Sequence, residues 1–282
     1  MRKEVFCLDG ALGTELLKCK GEYSFQFTDE LNVISPHLVT QLHLDYLNSG
    51  AQILSTNTFN ANSKAMSHHS LSSVYEMNYI GAQLASHVVD KYKTSSRLLY
   101  VAGVIGPINT PKANHKDIVS TYSTSVKGLL DGGIDCFLIE TALSTKEVLG
   151  AIEAISSVSN KPIWVSLYIN ALGSLFSGES FTSFLSQLPK NKIKVLGFNC
   201  IPVSDYKLIQ PLYKEIKTWD NSIALSLHPN VDNTNELSST ELKQMAQTVS
   251  RYAQSEQLSI VGGCCGTTPY YIKNLQKFLN KD

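Results

Sequence analysis

The sequence has no charge imbalance. Lys and Arg number 24, Asp and Glu also 24, and charged residues are only 17% of the 282, below the roughly 25% of ordinary soluble domains. No block of like charge stands out, so there is no electrostatic footprint for nucleic acid or an anionic membrane. No run reaches the roughly 18 uninterrupted apolar residues of a membrane span. Met1–Leu8 holds two basic residues but no long apolar run, so it does not read as an export signal and the cytoplasm is the expected location. There is also no Pro/Gly-rich linker, low-complexity tract or composition shift, and residues 1–282 are expected to form one domain. A low charge density with 43% hydrophobic residues suits a compact enzyme with a large interior and argues against disorder.

Cysteine is sparse as well. There are six, Cys7, Cys19, Cys136, Cys200, Cys264 and Cys265, and no Cys-x-x-Cys pair. In a long chain without an export signal, clustered cysteines are metal ligands or catalytic groups more readily than a disulfide framework. Cys7, Cys19 and Cys136 fall at core or helix positions and are assigned no chemistry.

What is present is alternation. Eight short aliphatic runs are expected as strands: Val5–Leu8, Ala51–Ser55, Leu98–Val104, Cys136–Ile139, Ile163–Leu167, Val195–Phe198, Ile223–Leu227 and Ser259–Val261. Several are apolar throughout, as strands covered on both faces are. Amphipathic stretches follow them at Pro36–Asn48, Leu71–Lys91, His115–Leu130, Ser144–Ser156, Ser180–Leu188, Val203–Lys217, Ser239–Gln254 and Tyr270–Leu279. Ser35 with Pro36 reads as a helix start and Gly50 as its stop. Ser144 with Glu147 matches a capping box. The connection from Gly10 to Ser35 is long, with room for a short helix at Gly13–Leu17, and segments 171–178 and 230–235 read as loops. Repeated strand–helix alternation is the pattern of an α/β fold of the (β/α)₈ barrel type. A doubly wound open sheet is the alternative, because alternation alone does not show closure.

In a parallel barrel the C-terminal strand ends share one rim, where catalytic groups gather. The unusual residues fall at those ends: Asp9-Gly10, Thr56-Asn57-Thr58, Gly106-Pro107, Glu140-Thr141, Asn199-Cys200, His228-Pro229-Asn230 and Gly262-Gly263-Cys264-Cys265-Gly266. Cys200, Cys264 and Cys265 suit zinc, whose catalytic sites offer three protein ligands and one open position. Neighbouring side chains on a strand point apart, and the glycines around Cys264-Cys265 are expected to let both sulfurs turn to one ion. Inert buried thiols, or a vicinal disulfide, are the other readings of that pair. Zinc among three thiolates activates water poorly but accepts a substrate thiol as fourth ligand and deprotonates it. The implied chemistry is S-alkylation. Asp9 and Glu140 read as carboxylates for a substrate ammonium, or else as a cap and a structural ion pair. The backbone of Gly10-Ala11-Leu12-Gly13 could face an anion. His228 is a ligand, a base or hydrogen-bonded packing. Asn57, Asn170, Asn199 and Asn230 are polar rim candidates.

The segments LDGALGTEL (8–16), STNTFNA (55–61), VAGVIGP (101–107), LIET (138–141), GFNC (197–200), HPN (228–230) and VGGCCGTTP (261–269) resemble the homocysteine S-methyltransferase family. That family takes in sulfonium-dependent and betaine-dependent enzymes and the homocysteine-binding module of cobalamin-dependent methionine synthase. GFNC together with GGCCG is the specific part. The resemblance implies a homocysteine-binding (β/α)₈ barrel over residues 1–282, with zinc on Cys200, Cys264 and Cys265. It implies that Asp9 and Glu140 hold the substrate amino group, that the backbone at Gly10 and Ala11 receives its carboxylate, and that Thr56 and Asn57 join the substrate site. Homocysteine and a methyl donor are the implied partners and methionine the product. The betaine-using branch carries a tyrosine where this chain has Asn60, which argues against a quaternary ammonium held by aromatic faces. With nothing after Asp282 for a cobalamin or folate domain, a sulfonium donor is expected. The alternative is a methyl-corrinoid or methylfolate brought by a partner protein. The loop Glu22–Asn32 is a candidate for closing over the substrate.

Overall fold

A computed structural model describes residues 4–110, 112–231 and 237–280, so the loop expected at 230–235 lies outside the described residues from 232 onward. Eight parallel strands run in the order β1-β8-β7-β6-β5-β4-β3-β2. They are β1 (Phe6–Cys7), β2 (Ile53–Ser55), β3 (Tyr100–Ile105), β4 (Cys136–Ala142), β5 (Ile163–Leu167), β6 (Ile193–Pro202), β7 (Ala224–Asn230) and β8 (Ile260–Val261). The two ends of that order meet where Leu8 bridges Ile53. Asp9 N donates to Ile53 O at 3.0 Å and Gln52 N to Cys7 O at 2.7 Å. The sheet is therefore a barrel rather than an open doubly wound sheet.

Helices follow the strands outside the barrel. Two short ones, α1 (Leu12–Leu16) and α2 (Leu31–Ile34), lie in the first connection. The other eight are α3 (Pro36–Asn48), α4 (Leu71–Tyr92), α5 (His115–Asp131), α6 (Thr145–Ser156), α7 (Phe181–Gln187), α8 (Tyr206–Trp219), α9 (Ser239–Ser255) and α10 (Pro269–Leu279). The expected helix at 13–17 is α1 followed by a 3-10 turn at Leu17–Cys19, and the stretch expected from Val203 begins as a 3-10 turn at Val203–Asp205. Ser35 makes no side-chain cap; its hydroxyl lies 3.2 Å from His37 Nδ1. The Ser144 box is half formed. Ser144 Oγ accepts from Glu147 N at 3.3 Å, while the Glu147 carboxylate turns toward the backbone of Ile108, Asn109 and Thr110. The next N–H, that of Thr145, donates to Glu179 Oε2 at 3.1 Å.

Alternation along each strand divides two cores. Leu8, Ile53, Ala102, Val104, Cys136, Leu138, Val195 and Ile260 fill the barrel interior. Their neighbours Cys7, Leu54, Val101, Ile105, Phe137, Ile139 and Leu196 pack outward with the helices. The alternation has a functional consequence, because continuing the inward series 136, 138 along β4 brings Glu140 to the inner mouth of the barrel.

One buried group outside the mouth carries a pH prediction. His43, in α3, is fully buried and both its ring nitrogens lack a hydrogen-bond partner. Burial lowers its pKa to about 4, whereas an unfolded histidine titrates near 6.5. Between those values the unfolded chain binds more protons, so stability is lost as pH falls from about 6.5 toward 4. By about pH 5 the loss is on the order of 2 kcal/mol. Urea melts at pH 7 and pH 5 should show a smaller drop in midpoint for His43→Leu than for the native chain. Equal drops would mean that His43 takes no part.

Candidate active site

Two strands are bent at the rim. The β4–β5 register shifts between Ile139 and Ala142, and the β6–β7 register between Asn199 and Pro202. Inside these bulges Thr141 has φ +54° and Cys200 φ +55°, a left-handed conformation that is costly for a β-branched residue such as Thr141. Plain alternation from the inward Val195 would send Cys200 outward, and the bulge turns it to the mouth. The bulges are tied together. Asn199, fully buried, accepts the Thr141 N–H at 3.1 Å and donates to Thr141 Oγ1 at 2.7 Å. The same Asn199 amide lies 3.8 Å from Cys264 Sγ, and Thr141 Oγ1 lies 3.8 Å from Cys200 Sγ.

Cys264 and Cys265 follow β8. Gly266 has φ +78°, as expected of a glycine that turns the chain. Gly263 is needed for a different reason: a side chain there would run into Thr267. Thr267 Oγ1 donates to Cys264 O at 2.7 Å and accepts the Ala11 N–H at 3.2 Å. The Tyr46 hydroxyl contacts the carbonyls of both Ala11 and Thr267 at 3.2 Å.

The three sulfurs meet. Cys200 Sγ is 2.8 Å from Cys264 Sγ and 4.0 Å from Cys265 Sγ, and Cys264 Sγ is 3.9 Å from Cys265 Sγ. Thiolates about 2.3 Å from a tetrahedral zinc ion stand about 3.8 Å apart. Two of the separations match that, and the third needs to open by about 1 Å. The residues therefore fit zinc. Hydrogen bonds from Cys200 and Cys264 pull the Cys265 pKa down to about 3, while the bond with Cys200, then that with Cys265 and burial, push Cys264 up. Cys200 rises to about 12, its bond with Cys264 being outweighed by the one with Cys265 and by burial. The trio thus gives up a first proton readily and holds the others, as sulfurs sharing one negative charge do.

These sulfurs border a cavity of about 160 Å³ that Asp9, the 10–14 backbone, residues 55–60 and Glu140 also line. Among the described residues no Lys, Arg or His lines it. A larger cavity, of about 670 Å³, lies at the other end of the barrel among Gln52, Gln254, Gln257 and Gln276 and holds no comparable cluster.

The two carboxylates differ. Asp9 is buried and both its oxygens are engaged, Oδ2 by Ser55 N and Oδ1 by Ser55 Oγ, each at 2.8 Å. Burial still raises its pKa well above the carboxylate range. Glu140 has no hydrogen-bonding or cationic partner among the described residues. Burial, and then the charge on Cys265, push it up to about 7. A cation entering the cavity would meet Glu140 as a carboxylate with both oxygens available.

Several expected residues line the cavity with their polar groups already committed. Thr56 Oγ1 accepts from Val104 N at 2.9 Å and sits 2.6 Å from Thr58 Oγ1. Asn57 Nδ2 donates to Thr28 O at 2.8 Å and to Asn32 Oδ1 at 3.1 Å. They hold loops in place, as Ala11 N–H does through Thr267. Asn170 makes a local turn, accepting from Leu172 N at 2.9 Å, and does not line the cavity. Asn230 does not line it either and pairs with Pro202 across β7 and β6. His228 is buried with both ring nitrogens unpartnered, so it is neither the hydrogen-bonded packing residue nor a member of the sulfur cluster. Burial lowers its pKa to about 4, which keeps the ring neutral. The 22–32 loop divides: Thr28–Glu30 is a buried 3-10 turn leading into α2, while Glu22, Ser24 and Gln26 are exposed. Sequence reasoning assigned no role to Ser55 or Thr267 and named Thr141 only as a strand-end residue. A serine on the inward face of an aliphatic strand was the signal available for Ser55.

The sequence profile of the homocysteine S-methyltransferase family matches residues 6–279. Among solved structures, the chain is similar to the oxidized form of the homocysteine methyltransferase MmuM from Escherichia coli. The identity is 22%, 97% of this chain and 95% of that one are covered, and the TM-score is 0.83. The metallated form of the same enzyme gives 22% identity, 98% and 96% coverage and a TM-score of 0.79. The glycoside hydrolase PbGH5A from Prevotella bryantii is similar at 10% identity, 97% and 96% coverage and a TM-score of 0.57. Such likenesses speak to the barrel alone, since one barrel supports many chemistries.

Proposed function

The chain belongs to the homocysteine S-methyltransferase family, enzymes that move a methyl group to homocysteine, and from that premise we propose that it does so with zinc on Cys200, Cys264 and Cys265, takes the methyl from a sulfonium and yields methionine. The observation that carries this reading is the meeting of three sulfurs within 4.0 Å at a cavity that also holds an unpartnered carboxylate and, among the described residues, no cationic side chain.

Zinc held by these thiolates supplies a Lewis acid that keeps a substrate thiol ionised at neutral pH. The residues do the rest. Glu140 takes the ammonium of homocysteine, with Asp9, held by Ser55, lining the cavity beside it. The backbone around Gly10 and Ala11 receives the carboxylate, with the Ala11 N–H shared with Thr267 Oγ1. Thr56 and Asn57 fix the loops around the substrate, and Asn199 and Thr141 hold the sulfur-bearing turns in register. The substrate sulfur attacks the donor methyl in line, a carbon–sulfur bond forms as the donor's breaks, and the thiol proton leaves to solvent. A thiolate and a sulfonium become two neutral thioethers, so no further base is required.

Charge favours that donor. A cavity with the unpartnered Glu140 carboxylate and, among the described residues, no cationic side chain favours a sulfonium over a polyanionic folate. Among the described residues no helix is long and apolar enough to cross a membrane, and a site built on reduced thiols suits the cytoplasm.

Purified, zinc-loaded protein should be incubated with homocysteine and, in turn, S-methylmethionine, S-adenosylmethionine, betaine and methylfolate, each with and without a methyl-corrinoid protein. Methionine formed from a sulfonium alone is the expected result. Turnover only with the corrinoid protein would replace this reading with that of a homocysteine-activating module serving a partner.

A further inference from the structure

A second group of metal-ligating side chains gathers at the rim, away from the three sulfurs. Glu30 closes the 3-10 turn of the first connection, and His68 and His69 lie in the loop between β2 and α4. One ligand atom from each of the three falls within 4.8 Å of the others. Glu30 is held in place, because its Oε1 accepts the N–H groups of Gln26 at 3.1 Å and Phe27 at 2.9 Å. That leaves Oε2 facing His69 Nε2 at 3.9 Å, too far for a hydrogen bond. His69 Nε2 is buried and has no hydrogen-bond partner, a condition that calls for an explanation. The His68 ring lies 4.3 Å from the His69 ring, with Phe27 stacked 6.5 Å away from it.

A divalent transition ion would draw these donors together and give the buried His69 Nε2 a partner. Imidazole nitrogen and carboxylate oxygen bind zinc at about 2.0–2.2 Å, so two donors on a tetrahedral ion stand about 3.4 Å apart, and the 3.9 Å between Glu30 Oε2 and His69 Nε2 needs to close by about 0.5 Å. A carboxylate oriented through its other oxygen, with two imidazoles beside it, is a donor set suited to zinc and its neighbours. We propose that Glu30, His68 and His69 form a second metal site that takes Zn²⁺ or a similar divalent ion and clips the first connection to the loop after β2. Asp29 already links these segments, accepting from Asn60 N at 2.7 Å and Asn60 Nδ2 at 3.2 Å. Thr28 and Asn60 line the thiol cavity, so the ion fixes two walls of the mouth without touching the sulfurs. The inference shares no ligand with the thiol site and does not rest on the methyl-transfer reading.

Metal stoichiometry tests it. The chelator-stripped full-length chain is reloaded with zinc or cobalt, desalted and assayed for bound metal. Two ions per chain are expected. His68→Ala/His69→Ala should retain one, with the thiolate-to-cobalt absorption unchanged. Cys200→Ser/Cys264→Ser/Cys265→Ser should also retain one, with that absorption gone. Added zinc should slow proteolysis at residues 22–26 in the native chain and leave the histidine variant unprotected. A native chain that holds a single ion, with the histidine variant identical to it in metal content and proteolysis, overturns the proposal. The histidine variant decides the matter alone if the cysteine variant does not fold.

Discussion

Replacing any one of Cys200, Cys264 and Cys265 by alanine is expected to strip the metal from the thiol site and to abolish methyl transfer to homocysteine. Removing a partner that merely orients a metal ligand costs about 10–100-fold in affinity or activity, and removing a ligand should exceed that, on the order of a thousand-fold. The three positions act as a unit. Two remaining sulfurs leave a site that no longer matches a closed set of three ligands with one open position, so a double substitution should cost little more than a single one. Bound metal and methionine formation, measured on the same samples, check this. An alanine variant that keeps full activity at any of the three positions would detach that sulfur from the chemistry.

Glu140→Gln should carry the next largest effect. In the ligand-free protein the Glu140 carboxylate has no counter-ion, and burial raises it to about 7. A substrate ammonium supplies the missing partner. Breaking a buried pair by removing one member costs about 3–5 kcal/mol, and Glu140 is only partly buried, so solvent screening favours the low end. About 3 kcal/mol corresponds to about a hundred-fold in kcat/KM for homocysteine. The loss should appear mainly in KM, because the ammonium is held equally before and during transfer. A thiol with the same carboxylate and no amino group, 4-mercaptobutyrate, should be used no less well by the variant than by the native enzyme. Equal losses on both substrates would move Glu140 away from the ammonium. Asp9 is a poorer probe, since Ser55 engages both its oxygens at 2.8 Å and its substitution would disturb the β1–β2 junction itself.

The barrel was legible in the chain because parallel strands covered on both faces are apolar throughout, and runs such as Cys136–Ile139 and Ile260–Val261 are. Closure was not, since it depends on the contact of Leu8 with Ile53, which no local pattern encodes. Cys200, Cys264 and Cys265 stood out because three strand-end sulfurs have few other uses. The means of bringing them together stayed hidden. Alternation points Cys200 the wrong way, and only a bulge with φ +55° at that residue reverses it; nothing in Asn199-Cys200-Ile201 marks a left-handed residue. The helix starts after Ser35 and Ser144 were legible, but the capping bonds expected of the Ser35 and Glu147 side chains do not form, for a related reason. Ser35 and Glu147 have the right spacing, but His37 and the 108–110 backbone compete for their side chains, and those competitors are set by tertiary packing. The Glu30, His68 and His69 cluster was unreadable as well, because its members are separated by β2 and the whole of α3.

X-ray absorption at the zinc edge tests the central claim most directly, on His68→Ala/His69→Ala protein so that a single site contributes. Three sulfur scatterers at about 2.3 Å are expected without substrate, rising to four when homocysteine is added. A first shell made of nitrogen and oxygen, or a sulfur count that homocysteine leaves unchanged, would contradict the account.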